Sequence, residues 1–145
     1  MKIFATGATG YIGNVVVEHA VRAGHAVEGL ARNQEGAAKV LRLGAAPVLG
    51  DLQSFDVLRA AASRADAVLH LAYIHDFSLD YSIVVNTEVK AVTALARGAK
   101  DTLGTPSSPD FNIAKDATFP AHRLWHPSSA AREGKRMVFT TDFSY

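Results

Sequence analysis

Apolar positions between residues 1 and 98 follow two alternating patterns. Short runs rich in strand formers occupy residues 2–6 (KIFAT), 25–31 (HAVEGLA), 46–51 (APVLGD) and 66–73 (DAVLHLAY). The last of these has a continuous apolar centre, which predicts a strand covered on both faces. Between the runs the spacing becomes helical. Ile12, Val15, Val16, Ala20 and Val21 recur at helical spacing, and Gly24 is placed to end that helix. Residues 35–44 predict a second helix, again closed by a glycine. Ser54 is placed to cap a third over 55–64, with Asp56 in its first turn where the helix dipole favours an acid. Residues 81–97 predict a fourth, with Gly98 near its end.

Strand–helix alternation with short connections predicts a doubly wound, parallel α/β sheet with helices on both faces. The pattern breaks after Ala99. Residues 100–135 hold four of the five prolines, and no period survives there for more than a few positions. Residues 99–135 are therefore expected to be an irregular insert or linker. A strand-like run returns at 136–141 (RMVFTT), which marks 136–145 as a possible fifth strand and C-terminus. Residues 1–98 make the compact unit.

Composition narrows the classes. A net charge of +1 gives no bulk attraction to nucleic acid or to an anionic membrane. The absence of cysteine excludes disulfides, thiolate catalysis and Cys-ligated metals. No apolar run approaches membrane-spanning length, and a cytoplasmic protein is expected. The histidines offer His70, His75 and Asp76 near one strand end, and His122 and His126 elsewhere, without the four placed ligands of a zinc site. No metal is expected.

The chemistry is concentrated in ATGATGYIGNV. Gly7, Gly10 and Gly13 fall between the first strand and the first helix. Gly7 permits a tight turn, Gly10 lets backbone approach a pyrophosphate, and Gly13 lets helix and sheet pack closely. Thr9, Tyr11 and Ile12 complete the loop and first helical turn, whose N–H groups face the phosphates. The flanking strand and helix are the context this motif requires for dinucleotide binding. At the end of the second strand, Ala31 and Arg32 stand where a ribose-binding carboxylate would select NAD. Arg32 predicts NADP(H) over NAD(H), because a guanidinium holds a 2′-phosphate by charge-assisted bonds. Glu28 lies too early in that strand to bind the ribose.

TGATGYIG, the GD after the third strand and HLA in the fourth resemble the extended or atypical short-chain dehydrogenase/reductases, which include NAD-dependent epimerase/dehydratases. The resemblance covers about residues 1–98 and implies a Rossmann fold of strand order 3-2-1-4-5. It implies that Asp51 and Leu52 lie beside the adenine, and that Leu71, Ala72 and Tyr73 lie beneath the ribose and nicotinamide. It implies hydride transfer to or from a small carbonyl or alcohol. In that family a Tyr-x-x-x-Lys pair moves the proton, and no tyrosine here has its lysine: Val15, Phe77 and Val85 follow Tyr11, Tyr73 and Tyr81 at that spacing. Thr140 and Thr141 fall where a catalytic Ser/Thr belongs, and the chain ends before the expected Tyr–Lys helix. Tyr73, His75 and Thr141 are the remaining candidates for proton chemistry. Two alternatives stand beside an enzyme: a non-catalytic nucleotide-binding or regulatory module, and a truncated product lacking the catalytic half.

Overall fold

The computed structural model describes residues 1–72, 74, 80–103 and 138–140. Its elements alternate in order: β1 (Lys2–Thr6), α1 (Tyr11–Arg22), β2 (Ala26–Ala31), α2 (Gln34–Arg42), β3 (Ala46–Leu49), α3 (Phe55–Arg64), β4 (Ala67–His70), α4 (Tyr81–Leu103) and β5 (Val138–Thr140). All strand pairs are parallel, in the order β3-β2-β1-β4-β5. The doubly wound sheet expected from the alternation is the fold observed. The run at 136–141 contributes β5, with Val138 opposite Val68 and Thr140 opposite His70.

The two-residue period of a strand divides the core into two layers. Ile3, Ala5, Val27 and Ala31 turn to one face and pack with Val17 of α1 and Ala37 and Val40 of α2. Phe4, Leu30 and Val68 turn to the other and pack with Leu58, Ala61 and Ala62 of α3 and Ala91 and Leu95 of α4. Leu58 and Leu95 are fully buried. Such burial stabilises by roughly 1.5–3 kcal/mol per side chain. β3 is an edge strand, and Pro47, which lacks a backbone donor, sits on it without breaking an interior ladder.

Three local readings change. α4 continues six residues beyond Arg97, and Gly98 lies inside it rather than near its end. The reason is packing: a Cβ at Gly98 would strike the Arg59 carbonyl of α3 and come within 2.9 Å of Ala62 Cβ. The glycine is the contact that lets α3 and α4 lie together. Ser54 precedes α3 but makes no capping bond to it. Its hydroxyl turns back instead, donating to Asp51 Oδ1 at 2.8 Å and accepting from the Asp51 amide at 3.1 Å. Gly13 packs against the glycine turn rather than the sheet, since a Cβ there would strike the Gly7 carbonyl and sit 3.1 Å from Ala8 Cα.

Candidate functional site

The carboxyl ends of β1, β2, β3 and β4 lie along one edge of the sheet, because every strand is parallel. The connections leaving that edge carry the residues singled out from sequence. In a sheet of this order, the connections of β1 and β4 diverge to opposite faces and leave a crevice between them.

Gly7 ends β1 with φ 69°, a conformation that side chains other than glycine adopt at a cost. It is also pressed from the side. A Cβ on Gly7 would lie 2.7 Å from the Leu71 carbonyl carbon and the Ala72 nitrogen. The glycine turn and the segment after β4 are therefore in direct backbone contact. The Gly10 amide donates to the Gly7 carbonyl at 2.9 Å, which closes the turn. Gly10 is the N-cap of α1, at φ −78° and ψ 172°. Glycine offers no capping side chain, and no acidic residue lies in the helix's first turn. The backbone N–H groups of Tyr11, Ile12 and Gly13 thus begin a helix with neither a capping side chain at its N-cap residue nor an acid in its first turn. Tyr11 stands out from it, 92% exposed.

α2 begins on the same edge, close by. The Thr9 methyl lies 3.6 Å from where a Gly36 Cβ would stand, so the glycine loop abuts the first turn of α2. Here the helix end is closed: Asn33 Oδ1 accepts from the Gly36 amide at 2.8 Å. Glu35 in that first turn pairs with Lys39 at 2.8 Å, and that hydrogen bond and charge hold its carboxyl below the usual range. Arg32 lies between the end of β2 and this cap, exposed, next to the buried Ala31. Glu28 is engaged elsewhere, bonded to Lys2 and Arg64 at 3.1 Å each.

Asp51 and Leu52 follow β3, and the Gly50 amide ties that end to the Ala31 carbonyl at 3.0 Å. The Asp51 carboxylate accepts from the Ser54 hydroxyl and from the Gln53 amide, both through Oδ1. The Ser54 bond, first among these, lowers its pKa. The side chain is thus held in place as an anion. Leu52 is partly buried against the α3–α4 core layer.

Sequence reasoning missed a polar chain at the other side of the crevice. Thr6 and His70 are opposite each other on β1 and β4, both buried, with Oγ1 and Nδ1 2.7 Å apart. His70 Nε2 meets Glu88 Oε2 of α4 at 3.3 Å. The Ala72 amide donates to Thr6 Oγ1 and the Ile74 amide to Glu88 Oε1, each at 3.3 Å. The signal available in the sequence was one histidine inside an apolar strand, which demands a partner once buried. Which partner it takes is a matter of tertiary contact.

The structure thus brings Gly7, Thr9, Gly10, Tyr11, Ile12, Gly13, Leu71 and Ala72 together at the crevice, with Arg32, Asp51 and Leu52 on its β2–β3 side. Tyr73, His75 and Thr141 lie outside the described residues. So does the side chain of Thr140. Among the described residues no group of three or more His, Asp or Glu is arranged to hold a metal. No helix among them is long and apolar enough to cross a membrane.

Comparison with known proteins agrees with this geometry. A family model described as NAD(P)H-binding matches residues 7–103. An uncharacterized protein of Schizosaccharomyces pombe is 38% identical over 110 residues, covering 74% of this chain and 37% of that protein. A 4-hydroxy-2-methyl-3-oxo-4-farnesyl-3,4-dihydroquinoline-1-oxide ketoreductase of Stigmatella aurantiaca is 34% identical, covering 69% and 31%. Among solved structures, yeast methylglyoxal/isovaleraldehyde reductase complexed with NADPH superposes with a TM-score of 0.60 at 23% identity, over 70% of this chain and 33% of that one. At that identity the likeness concerns the fold. The chain spans about a third of the length of these proteins.

Proposed function

Because this chain belongs to the NAD(P)H-binding family, we propose that it holds NADP(H) across the crevice, with the pyrophosphate on the first turn of α1. The observation that carries this reading is the start of α1. It has a glycine at the N-cap, no capping side chain and no acid. Its amides and dipole are left for an anion, and the absent Cβ of Gly10 leaves room for close approach. The preference for the phosphorylated cofactor rests on Arg32. It follows β2 with no carboxylate at the strand end, and the one acid within β2, Glu28, is consumed by Lys2 and Arg64. Asp51 and Leu52 are assigned to the adenine, and Leu71 and Ala72 to the nicotinamide side. We place the end of the nucleotide-binding unit at Leu103, where α4 ends, rather than at residue 98.

The bound cofactor supplies a hydride, and the reaction assigned to the whole protein is its exchange with a small carbonyl or alcohol. The residues of this chain bind and orient. A second reading, binding without turnover, is favoured by the absence of any Tyr-x-x-x-Lys in the sequence. Loss of a positioned general acid costs about 10²–10⁴-fold in rate. Assays of this chain with aldehydes, ketones and alcohols separate the two readings. Turnover lost on changing Tyr73, His75 or Thr141 would make that residue the proton donor; no turnover with intact binding is expected.

Titration followed by nicotinamide fluorescence tests the binding claim. NADPH should bind more tightly than NADH, and Arg32→Ala should remove most of the difference, about ten- to a hundredfold for a charge-assisted phosphate contact. Equal affinities in the unaltered chain would overturn the NADP assignment. No affinity for either would overturn the site.

A further inference from the structure

We infer that His70 and Glu88 are positioning residues that fix the segment after β4 against the glycine turn, and thereby set affinity for the nicotinamide half of the cofactor. The inference rests on the nucleotide-binding reading above. It is carried by the directions of the hydrogen bonds. A carboxylate only accepts, so the His70 Nε2 facing Glu88 carries the hydrogen. With the hydrogen on Nε2, the ring's neutral form has Nδ1 as its acceptor, and the Thr6 hydroxyl lies 2.7 Å from it. The Thr6 oxygen is left to accept from the Ala72 amide, and the second Glu88 oxygen accepts from the Ile74 amide. Each group in the chain has one role, and each end of the chain grips backbone of the same segment.

That segment is the one in contact with Gly7, whose missing Cβ leaves room for the Leu71–Ala72 peptide. Thr6, the residue before Gly7, is itself part of the relay. The relay therefore couples both walls of the crevice, and Glu88 ties them to α4. The sheet order puts β4 on the opposite side of β1 from β2 and β3. A shift of the segment after β4 should accordingly act on the nicotinamide half and spare the adenine half.

The test compares NADPH with adenosine 2′,5′-bisphosphate, which lacks the nicotinamide half, on the full chain by calorimetry. Glu88→Ala should weaken NADPH about tenfold, the scale of one hydrogen bond to a charged group, and leave the bisphosphate unchanged. Glu88→Gln keeps an oxygen for the Ile74 amide and should recover part of the loss. Amide hydrogen exchange in the nucleotide-free chain gives an independent readout: Ile74 should lose protection in Glu88→Ala and regain it in Glu88→Gln. Equal weakening of both ligands alongside a lower melting temperature would make the relay merely structural and overturn the inference. Unchanged NADPH affinity in both variants would overturn it too. Failure of the unaltered chain to bind either ligand would instead strike the underlying reading, while the exchange pattern would still report on the relay's grip.

Discussion

α1 and α2 start side by side on one edge of the sheet and in opposite ways. α2 is closed, with Asn33 accepting from the Gly36 amide and Glu35 in its first turn. α1 is open, with Gly10 at its N-cap, no capping bond and no acid. Both helices have the same unpaired amides and the same dipole by construction. The difference is in what the sequence places around them. A cap satisfies the amides from within the chain and stabilises the helix by about 1 kcal/mol. Leaving out the cap forgoes that stability and keeps the amides for a ligand. The open helix end, next to the closed one, is where the proposed pyrophosphate site lies.

The sharpest way to break this contrast is to give α1 the cap it lacks. Gly10 has φ −78° and ψ 172°, the extended geometry an N-cap residue uses, so aspartate is conformationally admissible there. Gly10→Asp should eliminate nucleotide binding, because its carboxylate takes the phosphates' place and repels them. Its thermal stability should change by no more than about a few tenths of a kcal/mol, since glycine is itself a fair N-cap. Fluorescence titration paired with thermal denaturation reads both, and preserved binding would put the phosphates elsewhere.

Gly13→Ala separates the two glycine tasks. Its Cβ would meet the Gly7 carbonyl, so the turn itself must shift. Stability should fall by about 1–3 kcal/mol, with affinity falling alongside it. A stable Gly13→Ala variant with full affinity would show that the turn has slack that these contacts deny.

Asn33→Ala opens α2 instead. It should cost about 1 kcal/mol in chemical denaturation. It should not create a second nucleotide site, because Glu35 still occupies the first turn. A change smaller than a few tenths would mean that water caps the helix as well as Asn33 does.

The smallest effect belongs to the third helix start. The bond from Ser54 lowers the Asp51 pKa in the folded chain. A lowered folded value adds stability that is full above the ordinary aspartate value and is lost as pH falls through the folded one. Ser54→Ala should therefore reduce stability at neutral pH slightly and narrow its gap from the unaltered chain below about pH 4. A gap that widens on acidification would contradict the assignment of the Ser54 hydroxyl to Asp51.

These helix starts differ in how readable they were. Gly7 and Gly10 were legible as a turn and a helix start because strand, turn and helix follow one another within a dozen residues, whereas Gly13, expected to serve helix–sheet packing, presses on the turn. Asn33 lies just ahead of the residues expected to form the second helix, yet its capping role was not read. Serine's preference for that position predicts Ser54 as a cap. The nearby Asp51 competes for the same hydroxyl, and a propensity does not encode that competition. Gly98 looked like a helix stop for the same kind of reason. Its actual constraint, the Arg59 carbonyl, comes from another helix.

The sequence by itself determined the alternation of strands and helices, their parallel arrangement, the glycine turn and the arginine after β2, while the strand order was implied by the family resemblance. These follow from periodicity and from residue types whose backbone preferences act over a few positions. The tertiary structure alone decided that Thr6 meets His70, that Glu88 reaches across from α4, and that both hold the segment lying on Gly7. Thr6 and His70 are 64 positions apart, and His70 and Glu88 are 18 apart. What joins them is strand register and helix packing, and a buried polar atom takes whichever partner that packing brings within hydrogen-bond reach.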